Sequence, residues 1–200
     1  MSATMHPSAS VSHAATIGQG SSIWHHAQVR EQAVIGENCV IGSGAYIGKG
    51  VRVGANCKIQ NRALVYEPAL LHDGVFIGPG AILTNDTYPR SVTPSGVLKR
   101  QEDWLPVGVE IREGASIGAH ATCVAPLVVG EWALVAAGAV VVEDVKPYGL
   151  VAGVPARHIG WVGRAGIPLV KNADGHLECP ISSERYEDIN GTLRLIEPRE

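Results

Sequence analysis

The chain has 200 residues, 46% of them hydrophobic and 18% charged, with a formal net charge of −3. That size suits one folded unit with a small appendage, and the charge balance lacks the basic surplus that marks nucleic-acid binding. No apolar run reaches the roughly 20 residues of a membrane-spanning helix and no charged-then-apolar leader opens the chain, so the expectation is a cytoplasmic protein with neither nucleic-acid nor membrane partners.

Residues 1–10 read as a lead-in. From Val11 an aliphatic residue recurs every sixth position: Ile17, Ile23, Val29, Ile35, Ile41, Ile47, Val53, Ile59, Val65, Leu71, Ile77 and Leu83. A second train, Leu105, Ile111, Ile117, Cys123, Val129, Val135 and Val141, keeps the same step. Helices repeat apolar residues every 3.6 positions and flat strands every 2, so a sustained period of six fits neither. It predicts an all-β fold, a left-handed parallel β-helix built of hexapeptides, with roughly four coils in the first train and two in the second. Small residues four positions on, such as Cys39, Ala45, Val51 and Cys57, are expected to share the narrow interior.

Leu83 and Leu105 are 22 positions apart, which is not a multiple of six, so residues 84–104 are expected to loop out. That segment is polar and carries Pro and Gly, and so long an excursion from a regular solenoid points to function or a subunit contact. Residues 146–163, containing Pro147 and Pro155, break the hexad and are read as a cap closing the domain of residues 1–163. Residues 164–200 are more charged and read as a small hairpin-like tail, with strands at "HLECPIS" and "GTLRLIE". Cys39, Cys57 and Cys123 stand at interior positions and Cys179 is alone, so neither a disulfide framework nor a paired zinc motif is present. Trp24 and Trp132 follow the hexad at exposed positions, where interface packing and ligand contact both remain open.

The segments "HPSASV", "IGQGSSIWHHAQV", "KIQNRALVYEPALLHDGVFIGPGAILTNDTYPRS", "GASIGAHATCVAP", "VAAGAVVVEDVKPYGLVAGVPARHIGWVG" and "CPISSERY" follow one another along essentially the whole chain. Together they resemble the bacterial nucleotide-sugar 3-N-acetyltransferases, acting on UDP-2-acetamido-3-amino-2,3-dideoxyglucuronate or dTDP-3-amino-3,6-dideoxyhexoses. The hexad alone is shared with carbonic anhydrases, serine O-acetyltransferases and lipid A acyltransferases. The "TND-x-YPR" loop together with "VAGVPARHIGWVG" is more specific. The resemblance implies acetyl-CoA as donor, no metal, a homotrimer with active sites at subunit boundaries, and an Asn beside the substrate amine, which matches Asn85. The loop Asn85-Asp86-Thr87-Tyr88-Pro89-Arg90 is nearer the deoxyhexose branch than the "TN-x-x-NPR" of the glucuronate enzymes, and Ser183 replaces a Gly found in many relatives.

Aminolysis of a thioester needs a neutral amine, held near the carbonyl carbon, and donors for the developing oxyanion. Positioning contributes up to roughly 7–11 kcal/mol in ideal cases, and one oxyanion donor about 3–4 kcal/mol. Asn85 cannot take a proton, but its amide oxygen can accept a hydrogen bond from the amine; the alternative is an Asx-turn at the loop base. Asp86 would need burial to act as a base, since an ordinary Asp titrates near about 3.9. Tyr88 and Arg90 are candidates for the sugar or a diphosphate, which suits the planar fork of Arg. Tyr66, Glu67, Trp24, His25, His26 and His72 complete the candidate substrate-binding set, with the histidines also considered as bases.

For the donor, Ala119, Ala137 and Gly138 would let a pantetheine arm approach the backbone, and Lys146, Arg157 and Arg164 would meet the CoA phosphates. His120 and His158 lie in that half and are weaker candidates for the base. Two other readings stand beside the acetyltransferase: a γ-type carbonic anhydrase, which needs three His on zinc, and a non-catalytic solenoid.

Overall fold

A computed structural model describes residues 2–196. The inward aliphatic of each hexapeptide sits on a two-residue strand, and each strand pairs in parallel with the strand 18 residues on, as Ser22 does with Val40 and Val40 with Lys58. Three such strands close one rung, so the chain winds into a three-faced parallel solenoid of about eight turns, the hexapeptide left-handed β-helix expected. No α-helix occurs among the described residues, and no helix there is long and apolar enough to cross a membrane.

The first face runs from Thr4–Met5 through Ser22–Ile23, Val40–Ile41, Lys58–Ile59, Phe76–Ile77, Ser116–Ile117 and Leu134–Val135 to Gly149–Gly153. The second runs from Ser10–Val11 to Val140–Val141 and the third from Thr16–Ile17 to Leu127–Val129. Stacked aliphatics and the small residues between them form one continuous core. Ile41, Ile47, Ile59, Ile77 and Cys57 are wholly excluded from solvent. Burying each such Ile in water-free packing stabilises by about 1.5–3 kcal/mol.

Where the pairing crosses the projecting segment, Leu70 meets Glu110 and Ile82 meets Thr122, separations of 40 instead of 18, so 22 residues are extruded. Their return differs from the sequence expectation in one respect. Leu105 is 84% exposed and belongs to the loop; the second train enters the core at Ile111, which is fully buried.

The lead-in expectation is also corrected, because Thr4–Met5 pairs with Ser22–Ile23 as a first rung. Six coils were expected, but the first face is eight rungs deep before an antiparallel strand, Ala156–Trp161, turns back along its edge. The tail is a four-stranded antiparallel sheet. Leu177–Glu178 and Thr192–Ile196 are strands, yet they do not pair with each other: Arg185–Ile189 lies between them. Tyr186 anchors this sheet, with its ring edge-on to Tyr148 at 5.3 Å and its hydroxyl bonded to Arg164 N and to Glu184.

Candidate active site

The three corners of each rung stack into three edges, and the candidate residues are distributed over them. The second edge, which follows the second face, carries the loop. Its corner column reads Glu31, Lys49, Glu67 and Asn85 at 18-residue steps, as the register of Leu64 with Ile82 and of Tyr46 with Leu64 requires. The loop leaves at Asn85, whose carbonyl accepts the Val107 N–H at 3.1 Å where the chain returns. Thr84 Oγ1 accepts the Ala125 N–H at 3.0 Å and ties the loop base to the next rung.

The Asx-turn considered for Asn85 is made by its neighbour: Asp86 Oδ1 accepts the Tyr88 N–H at 2.8 Å. Among the described residues the Asn85 side-chain amide has no partner in the chain. The loop folds back on itself through Val92 and Leu98 and covers the corner column. Between them lies a cavity of about 560 Å³. Arg30, Glu31, Lys49 and Glu67 line it from the corner, and Asp86, Arg90, Lys99, Arg100 and Trp104 from the loop.

Five cations and three acids thus meet in this cavity. Arg30 and Glu31 are consumed by each other at 3.0 Å, leaving four cations against two acids, a local surplus of +2 in a chain whose net charge is −3. Among the described residues Lys49, Arg90, Lys99 and Arg100 make no ion pair. Tyr46 and Tyr66 pack beside the column with ring centres 5.1 Å apart and planes tilted by 46°, and burial, followed by the charge of Glu67, raises the Tyr46 hydroxyl. Tyr88 projects from the loop, 82% exposed.

The first edge carries Trp24, His25 and His26 after its second rung, and Ala119, His120, Ala137 and Gly138 after its sixth and seventh. The His25 ring stacks on His6 with centroids 3.6 Å apart, and burial followed by the charges of His25 and His26 lowers His6. Asn85 follows the fifth rung of its own face. At about 4.8 Å per rung, His25 and His26 lie about 14 Å along the axis from the Asn85 level, whereas His120 is one rung away. His120 lines a cavity of about 350 Å³ with Asn61, Arg62 and Gly80. Gly118 has no room for a Cβ against the Ala137 backbone, so the corners bearing Ala119 and Ala137 stack closely; Ala137 and Gly138 are exposed and Ala119 is half-buried.

His72 is on the third edge. Its Nε2 is 2.9 Å from Glu110 Oε1, which Arg112 also reaches at 3.2 Å. Lys146 and Arg157 share a cavity of about 230 Å³ near the carboxyl-terminal end of the solenoid. Lys146 Nζ donates to the Gly191 carbonyl at 2.8 Å, which ties it to the tail. Burial and the Lys146 charge lower His158 in the same cavity. Arg164, also considered for the CoA phosphates, lies over the Trp132 ring at 5.4 Å, beside the apolar cluster of the tail.

Within one chain, then, the loop cavity unites Glu67, Asp86 and Arg90 beside Asn85, while the histidines and the donor candidates stand on other edges. Among the described residues no group of three or more His, Cys, Asp or Glu is placed to hold a metal ion. Sequence reading missed Arg30, Lys49, Lys99 and Arg100. The first two were accessible by stepping 18 residues back from Glu67 and its neighbours. The last two were not, because the loop has no period.

Comparison with known proteins supplies a class. Residues 14–49 match the family described as bacterial transferase hexapeptide (six repeats). Serine acetyltransferase of Escherichia coli (strain K12) is 41% identical over 88 residues, 44% of this chain and 31% of that protein. The dTDP-3-amino-3,6-dideoxy-alpha-D-galactopyranose 3-N-acetyltransferase of Aneurinibacillus thermoaerophilus is 39% identical over 83 residues, 42% of each. The aligned part therefore spans less than half of these relatives. Among solved structures, the acetyltransferase domain of PglB from Neisseria gonorrhoeae FA1090 is 27% identical with a TM-score of 0.51, over 78% of this chain and 57% of that one. LpxA of Bacteroides fragilis 9343, a UDP-N-acetylglucosamine acyltransferase, shares the fold at a TM-score of 0.65 and 18% identity, over 80% of this chain and 61% of that one.

Proposed function

We propose that the protein transfers acetyl from acetyl-CoA to the 3-amino group of a UDP- or dTDP-linked amino sugar, as a homotrimer. The observation that carries this reading is the loop cavity. Its four cations, unpaired among the described residues, suit a diphosphate, Trp104 offers a flat surface to a base or sugar ring, and about 560 Å³ is in the range of sites for ligands of nucleotide size. Asn85 at its margin has an amide oxygen, without a partner among the described residues, to accept a hydrogen bond from the amine and aim its lone pair at the thioester carbonyl. The relative that acetylates a dTDP-3-amino sugar supports the same acceptor class.

Acetyl-CoA is assigned to the first edge of a neighbouring subunit, where Ala119, Ala137 and Gly138 leave the backbone approachable. This assignment explains why donor and acceptor candidates lie on different edges of one chain. A trimer brings an edge of one subunit toward the second edge of the next.

The identity to serine acetyltransferases favours a second reading, O-acetylation of free serine. Serine would fill a small part of the cavity and leave its cations unused. A thiol-release screen with acetyl-CoA separates the two: turnover with UDP- or dTDP-linked 3-amino sugars supports the first reading, and turnover with serine alone supports the second.

A further inference from the structure

Resting on the reading of the loop cavity as the sugar-nucleotide site, we propose that Glu67 reads the acceptor's amine and makes the site select nitrogen over oxygen acceptors. Glu67 lines the cavity and stands one rung before Asn85 in the same corner column. Its Oε2 is shut from solvent and, among the described residues, has no hydrogen-bond partner.

A buried carboxylate oxygen without a donor is costly, and native structures keep few of them. Here the niche that holds it is built in. Residue 48 is glycine, and a Cβ there would overlap Glu67 Oε2 and crowd the Glu67 backbone N–H. The nearby cations do not relieve the carboxylate: Arg30 is turned to Glu31, at 3.0 and 3.2 Å, and to the Tyr46 hydroxyl at 3.5 Å. The niche thus pins the carboxylate through Oε2, and Glu67 meets the cation-rich cavity through its other oxygen, which among the described residues likewise accepts no hydrogen bond.

The charge pattern fits a ligand with both signs. A nucleoside diphosphate carries about −2 and a sugar ammonium +1, set against a cavity surplus of +2 that includes one donor-less carboxylate. An amine or ammonium brings two or three N–H donors and makes charge-assisted bonds to a carboxylate. A hydroxyl at the same carbon brings one weaker donor. A site built around an acceptor that the protein leaves without a donor discriminates strongly against an analogue that satisfies it less well.

The test compares a dTDP-3-amino-3,6-dideoxyhexose as acceptor with its 3-hydroxy counterpart as competitive inhibitor, in the full-length protein and in Glu67→Gln. The expected result is a KM for the amine raised at least about tenfold. The Ki of the hydroxyl sugar and the KM of acetyl-CoA stay within about twofold, so the preference for nitrogen collapses. A merely structural role would move all three together. Should Glu67→Gln lose the circular-dichroism signature of the parent, Glu67→Asp replaces it, with the same direction expected for the amine alone. An amine-to-hydroxyl ratio unchanged in these variants overturns the role of Glu67 and leaves the cavity reading standing. A parent protein that acetylates no amino-sugar nucleotide overturns both.

Discussion

Glu67 and Asn85 occupy the same corner position on consecutive rungs of the second face, because Leu64 and Val65 are in register with Ile82 and Leu83. The 22 extruded residues leave the solenoid at the second of these two residues and fold back over the first. The repeat thereby supplies a rigid base for a site whose other wall is a loop, and side chains on rigid elements hold geometry better than those on loops alone.

Asn85→Ala should lower turnover by about 1–3 kcal/mol in activation free energy, the worth of one important polar contact. Folding should be intact, since the Asn85 carbonyl, which holds the returning Val107 N–H, is unchanged. Steady-state kinetics with a matched melting curve checks this. Activity within twofold of the parent would assign Asn85 to structure alone.

No single histidine should be indispensable. His72 is held by Glu110 on the third edge, His25 and His26 lie about 14 Å along the axis from the Asn85 level, and a sugar amine can lose its proton to solvent before attack; His120, on the edge assigned to the donor and one rung from Asn85, is the sharpest test. The pH–rate profiles of His25→Ala, His26→Ala, His72→Asn and His120→Ala should keep the parental shape. Loss of several orders of magnitude in turnover together with the acidic limb in one variant would identify a general base.

The assembled active site should require a trimer, because the candidate donor and acceptor residues occupy different edges of each chain. Sedimentation equilibrium should give three times the subunit mass under assay conditions. A fully active monomer would contradict the shared site.

Burial in the core pushes the Cys123 thiol up from about 9 to about 12. A pKa raised on folding contributes stability that is complete below the unfolded value and is lost as pH rises toward the folded one. Between pH 8 and 10.5 this residue should therefore cost about 2 kcal/mol of stability, at about 1.4 kcal/mol per unit above the unfolded pKa. Thermal melts should show a shallower alkaline decline in Cys123→Ala than in the parent. Identical slopes would show that the thiol does not set it.

The solenoid was legible because its inward residues obey a period that solvent exclusion enforces at every rung. Leu105 misled, since it stands six residues before Ile111 by coincidence and nothing in spacing separates a loop leucine from a core one. Thr4–Met5 escaped notice although Met5 stands six residues before Val11, because a single methionine in a polar lead-in does not read as a core aliphatic, and at the end rung it is indeed left exposed. In the tail, Arg185–Ile189 buries only Tyr186, among Arg185, Glu187 and Asp188, and leaves Ile189 exposed, a weak strand pattern that hid its place between the two recognised strands. At the site, Glu67 and Asn85 could be aligned from an 18-residue step. The approach of Lys99, Arg100 and Trp104 depends on aperiodic loop turns, including the bond from Lys99 N to the Ser91 carbonyl.

The most direct test is to identify the atom that receives the acetyl group. The protein is incubated with carbon-labelled acetyl-CoA and dTDP- or UDP-linked 3-amino sugars, and the product is read by NMR. The account predicts an acetyl carbonyl coupled to the amide proton at C3 of the sugar, with one free CoA thiol released per product. Acetyl found only on oxygen, or no transfer to any amino-sugar nucleotide while free serine is acetylated, would contradict it.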